Sequence, residues 1–211
     1  ENNSAPKSSN SNGGAIYLYN TTNTVINLIN STFTGNNATG SGGAIYTNGK
    51  INLNGTIFND NFANVTGGAI YSNENINLSN TNFTNNIANA TGGAIFTNGT
   101  VLTTNVTFIN NTAGIQGGAI FANKNITLVN STFTGNKVNG TDANAAGGAV
   151  FTNEWINIDN SSFINNTALN GSGGAVYANN NVTIVNGSEF VNNTAKTGGA
   201  VTSDIGNITV K

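Results

Sequence analysis

Hydrophobic and polar residues alternate along this chain in runs too short for helices. In residues 42–66, GGAIYTNGKINLNGTIFNDNFANVT, Ile51-Asn52-Leu53 alternates strictly, while Ile45-Tyr46 and Ile57-Phe58 form short apolar steps. Thr47-Asn48-Gly49 and Asn54-Gly55 punctuate the segment with turn residues. A period of two, β-branched and aromatic enrichment and Asn-Gly breakers predict three short β-strands joined by tight turns; no helical period is present.

This pattern recurs along the chain. The triplet Gly-Gly-Ala begins at residues 13, 42, 67, 92, 117, 147, 173 and 198, giving spacings of 29, 25, 25, 25, 30, 26 and 25. A second mark, Phe-x-x-Asn, keeps step with it at Phe33/Asn36, Phe58/Asn61, Phe83/Asn86, Phe108/Asn111, Phe133/Asn136, Phe163/Asn166 and Phe190/Asn193. A fixed period of this size is the signature of a solenoid, in which each unit buries its apolar side only by stacking on its neighbours. At ~3.3 Å per residue a 25-residue unit gives a perimeter of roughly 80 Å, too wide for a hexapeptide helix and too short for a propeller blade. Parallel crossovers are right-handed in nearly all cases. The expected fold is therefore all-β, a right-handed parallel β-helix. It would have three short strands per coil and about eight coils, and stand roughly 35 to 40 Å tall at ~4.8 Å per coil. Residues 1–12 are expected to be a flexible N-terminal segment and residues 13–211 a single β-helix domain, a fragment of a longer solenoid.

Stacking sets each residue above its equivalent one coil on, so columns can be read directly. Ile16, Ile45, Ile70, Ile95, Ile120, Val150, Val176 and Val201 form one aliphatic column; Ile51, Ile76, Val101, Ile126, Ile156 and Val182 form another; the seven Phe-x-x-Asn phenylalanines form a third. All three are expected inside. The paired glycines mark a corner that excludes side chains, and the Phe-x-x-Asn asparagines are expected to stack as an amide ladder. Tyr17, Tyr46, Tyr71, Phe96, Phe121, Phe151 and Tyr177 directly follow the first aliphatic column, so alternation sends them outward. They form either a self-stacked ladder or a platform for sugar rings or a partner.

The pairing of GGA[IV] with FxxN resembles the repeat of chlamydial polymorphic outer-membrane proteins, and the Asn/Thr-rich, Arg-free composition is similar to adhesin-like surface proteins of methanogenic archaea. The resemblance implies a β-helical passenger and an adhesive role at the extracellular surface or cell wall. It carries over no contact residue, because the shared motifs are scaffold.

Composition narrows the chemistry. Only 7% of residues are charged, His, Cys, Met and Arg are absent, and the net charge is -2. Neither a zinc site nor a basic nucleic-acid footprint can be assembled from these residues. No apolar run is long enough to span a membrane. No cofactor is expected. Related β-helix lyases resemble calcium-assisted enzymes with an Arg base, and this chain has none. The eight acids are scattered, and the nearest pair, Glu154 and Asp159, flank one strand, so the chain is read as a non-enzyme. Sequons such as Asn30-Ser-Thr, Asn54-Gly-Thr, Asn64-Val-Thr, Asn89-Ala-Thr, Asn105-Val-Thr, Asn130-Ser-Thr and Asn192-Asn-Thr make it a possible glycoprotein.

Departures from the repeat are where specificity is expected. The first unit carries extra residues near Tyr19-Asn20-Thr21-Thr22, and the fifth near residues 137–144. Insertions of this kind form loops on one face, often the binding face. Trp155, the single tryptophan, replaces Lys50, Asn75, Thr100, Asn125 and Asn181 of other coils. Asp142, Glu154 and Trp155 are the expected recognition patch. The expected function is a non-catalytic adhesin-like module that attaches to a cell-surface protein or glycan, without nucleic-acid binding or membrane insertion by this segment. The alternative is a structural protein whose terminal coils stack on further copies of itself into filaments or a surface layer.

Overall fold

The computed structural model describes residues 1–5, 11–19, 24–141 and 144–211. Every regular element among them is a β-strand, and every strand pairs in parallel with its equivalent one coil away. Four sheets result. The first, of eight strands, follows each Gly-Gly-Ala and includes Ile45–Thr47, Ile70–Ser72 and Val150–Thr152; the second, also of eight, includes Lys50–Asn54, Ile76–Ser79 and Ile156–Asp159. The third carries the phenylalanines in seven strands such as Ile57–Asn59 and Thr107–Ile109.

The fourth sheet corrects the expectation of three strands per coil. Its seven strands are mostly two residues long, as in Phe62–Ala63, Ile87–Ala88 and Thr112–Ala113. Two residues give no alternation to detect, and the inward one is usually the small Ala38, Ala63, Ala88, Ala113 or Ala168, fully or almost fully buried. Register is strict: Ile45 pairs with Ile70, Ile70 with Ile95, and Phe83 with both Phe58 and Phe108.

The three inward columns lie where alternation places them. From the second coil on, the first-sheet aliphatics through Val176 are closed to solvent, as are Ile51, Ile76, Ile126, Ile156 and Val182. Phe58, Phe83, Phe108, Phe133 and Phe163 are fully buried, with successive rings 4.7–4.9 Å apart. The end coils are looser: Ile16, Phe33, Phe190 and Val201 are only partly buried against this core.

Beside the phenylalanines runs the amide ladder. Asn86 donates from Nδ2 to the Phe58 carbonyl at 3.0 Å and to Asn111 Oδ1 at 2.9 Å. Its own Oδ1 accepts from the Asn61 backbone N–H at 3.2 Å and from Asn61 Nδ2 at 2.9 Å. Both donors and both lone pairs are thereby used, which is what permits a fully buried amide. The same bonds recur from Asn36 to Asn193. Asn3, within the N-terminal segment 1–12, adds a further rung to this ladder. Its backbone N–H and Nδ2 donate to Asn36 Oδ1 at 3.1 and 3.0 Å, and Ser4 bridges Asn37 in parallel.

The two glycines of each corner meet different constraints. Gly92 has φ +66, a conformation that L side chains rarely adopt. Gly93 is excluded by space, since a Cβ there would lie 2.0 Å from the Gly118 carbonyl oxygen of the next coil. Together they bring the fourth-sheet backbone hard against the first sheet, and this fixes where the outward columns stand.

Candidate recognition surfaces

Two lateral faces present side chains outward. On the first sheet, Tyr17, Tyr46, Tyr71, Phe96, Phe121, Phe151 and Tyr177 stack ring on ring at 4.6–5.3 Å, with Tyr19 added at 6.1 Å from Tyr17. The rings are nearly parallel through most of the column, so each interior ring has its faces covered by its neighbours and offers solvent only an edge. The expected outward ladder is exposed at one end, where Tyr17 is 53% accessible, but closed in the middle, where Phe121 and Phe151 are buried with Ala146. Ala145, just after the fifth-unit insertion, joins a separate small cluster with Ala113, Val138 and Ala168. This column is therefore a subsidiary core laid on the outside of the sheet.

A second amide ladder borders it. Asn98 Nδ2 donates to Asn73 Oδ1 at 2.7 Å, Asn153 Nδ2 to Asn123 Oδ1 at 2.6 Å and Asn179 Nδ2 to Asn153 Oδ1 at 3.0 Å. The recurrence of Asn two residues after each aromatic from Tyr46 to Tyr177 is the sequence signal for this row. A polar depression of about 270 Å³ lies here, lined by Asn144, Phe151, Asn153, Ser172 and Tyr177. Burial raises the hydroxyl pKa values of Tyr46 and Tyr71; neighbouring Tyr71, Tyr17 and Tyr19 add to the rise at Tyr46, while Asn98 partly offsets it at Tyr71. Burial also raises that of Tyr177, reinforced by the negative charge of Asp204 and a hydrogen bond to it.

The outer face of the second sheet is built differently. Its central outward column reads Asn27, Asn52, Asn77, Leu102, Thr127, Asn157, Thr183 and Thr209, changing chemistry along the rod. Asn52 donates to Asn27 at 2.9 Å and Asn77 to Asn52 at 3.0 Å, forming a short exposed ladder. With Leu28, Leu53 and exposed Leu102, these line an open groove of about 430 Å³.

Trp155 belongs to this second face. It immediately precedes the strand Ile156–Asp159, in register between Asn125 and Asn181, and remains 37% accessible. Its main chain is anchored, the carbonyl accepting from the Ile126 N–H at 3.1 Å. Glu154 stands beside it and accepts from Asn180 Nδ2 at 3.0 Å. Asp142 lies outside the described residues, as do residues 20–23 of the first insertion. The described part of the fifth-unit insertion reaches the first face through Asn144, whereas Glu154 and Trp155 do not line that depression. The outward neighbours of Trp155, namely Thr127, Asn157 and Thr183, were missed by the reading of outliers, although simple alternation identifies them.

Three of the sequon asparagines, Asn30, Asn105 and Asn130, follow one exposed edge between the second and third sheets, each at positive φ. Among the described residues no three His, Cys, Asp or Glu side chains cluster as metal ligands, and no helix is long and apolar enough to cross a membrane.

Segments 30–48, 55–73, 105–123 and 160–179 match the model of the Chlamydia polymorphic membrane protein repeat. Each begins at the corner after the second sheet, runs through the third and fourth sheets and ends past the first-sheet strand. The similarity thus covers Phe-x-x-Asn and Gly-Gly-Ala and leaves every second-sheet strand outside, Trp155 included. No curated protein and no solved structure matches the chain.

Proposed function

We propose that this chain is a surface-displayed, non-catalytic adhesin-like segment that attaches to a glycan or protein of another cell through its lateral faces. The observation that carries the reading is the division of labour around each coil. Glycine corners, the buried amide ladder and the phenylalanine column repeat without change, while outward positions on the second sheet vary. A scaffold of constant columns that displays variable, uncharged polar side chains suits recognition of extended surfaces. The repeat similarity to polymorphic membrane proteins fits a surface-exposed β-helical passenger, and the dense sequons accord with an extracellular location.

The test is attachment of beads coated with the purified chain to epithelial and microbial cells, with negative-stain images of the same preparation. Specific attachment by separate short rods supports the proposal. Growth of fibres one coil wide, with no attachment, would instead support the self-assembling structural reading.

A further inference from the structure

Fifteen of the seventeen aromatic side chains are committed to the two stacked ladders; Phe62 and Trp155 are the exceptions. A ring inside a ladder has no free face to offer a ligand. Trp155 has Asn125 and Asn181 as its column neighbours, so no ring stacks on its indole, and no side-chain hydrogen bond to a described residue engages its N–H. An indole combines a broad apolar face with one polar donor, and it costs little conformational entropy to fix.

The surroundings specify the ligand's chemistry. Outward on the adjoining column stand Thr127, Asn157 and Thr183, a set of hydroxyls and amides able both to donate and to accept. The nearby carboxylates already have partners: Glu154 accepts from Asn180 Nδ2 at 3.0 Å, and Asp159 Oδ1 accepts from Asn186 Nδ2 at 2.6 Å. An apolar ring face bordered by neutral hydrogen-bonding groups complements a sugar ring, whose axial C–H face is apolar and whose rim is hydroxylated.

We propose that Trp155 floors a subsite for a neutral pyranose on the outer face of the second sheet, with Thr127, Asn157 and Thr183 meeting the sugar hydroxyls. This rests on the attachment reading above and names its ligand class.

Because Trp155 is the sole tryptophan, its emission reports the site without a label. The intact chain is titrated with neutral oligosaccharides of glucose, galactose, mannose and N-acetylhexosamines, and affinity is checked by calorimetry. The expected result is a saturable emission change with at least one of them, insensitive to salt. Trp155→Ala should weaken binding by about tenfold or more, equivalent to about 1.4 kcal/mol; Trp155→Phe should retain part of it. The proposal is overturned if none of the sugars shifts the emission, if Trp155→Ala binds as tightly as the parent, or if only a cationic probe such as polylysine binds, in a salt-sensitive way. Cell attachment that survives Trp155→Ala would remove this subsite and leave the attachment reading intact. Sugar binding by a chain that attaches to no cell would do the reverse.

Discussion

The first and second sheets lie next to each other on the same coil, yet they use their outward positions in opposite ways. On the first sheet an aromatic recurs in almost every coil, and the result is a stack whose faces are spent on one another. On the second sheet the equivalent positions pass from Asn77 to Leu102 to Thr127 to Asn157, so no column can close on itself. Repetition in a solenoid turns side chains into structure, and variation leaves them available. The segments that match a known repeat family stop short of the second sheet, which sharpens the contrast.

The contrast is broken most severely from inside. Replacing the fully buried Phe108 by Ala should cost about 3–5 kcal/mol, through lost apolar burial and the cavity left between Phe83 and Phe133; denaturant unfolding at constant m-value measures it. Asn86→Leu should cost about 3 kcal/mol by the same assay, because it strands the Asn61 donors and the Phe58 carbonyl in a buried ladder.

A smaller effect comes from the first-sheet tyrosines. Tyr46, Tyr71 and Tyr177 have folded pKa values raised above the ordinary tyrosine value of about 10. The folded state therefore holds these protons more tightly than the unfolded chain. The associated stability is complete below the unfolded pKa and is lost as pH rises through the folded values. The melting temperature should fall above about pH 10, and the triple substitution Tyr46→Phe, Tyr71→Phe, Tyr177→Phe should flatten that fall. An equally steep decline in the triple variant would show that the aromatic face does not sense its own ionisation.

The least effect on stability is expected at the second face. Trp155→Ala should change unfolding free energy by about 1–2 kcal/mol, less than at Phe108, since the side chain is 37% accessible and outside every aromatic stack. A loss as large as that at Phe108 would make Trp155 part of the scaffold and erase the distinction between the faces.

Much of this was legible in the sequence because the repeat states each requirement several times. Gly-Gly-Ala and Phe-x-x-Asn fixed the coil length, the inward columns and the buried ladder. The fourth sheet escaped because two-residue strands such as Ile87–Ala88 carry no period. Asn3 escaped because residues 2–5 share little with residues 35–38 beyond one asparagine and one alanine, although their spacing places Asn3 at the head of the ladder. For the outward aromatics, alternation gave direction but not burial, which at Phe121 and Phe151 depends on packing with Ala146, the residue before the Gly147-Gly148 corner. Of the expected patch, Glu154 and Trp155 are adjacent on the second face, and Asp142 falls outside the described residues.

The central claim is that the constant columns hold the rod and the variable second face recognises a surface. It is tested most directly by cell attachment of beads bearing a chain with Thr127→Ala, Trp155→Ala, Asn157→Ala and Thr183→Ala, matched to the parent in melting temperature. The account predicts that attachment falls to the level of uncoated beads. Undiminished attachment by a variant that melts like the parent would contradict it.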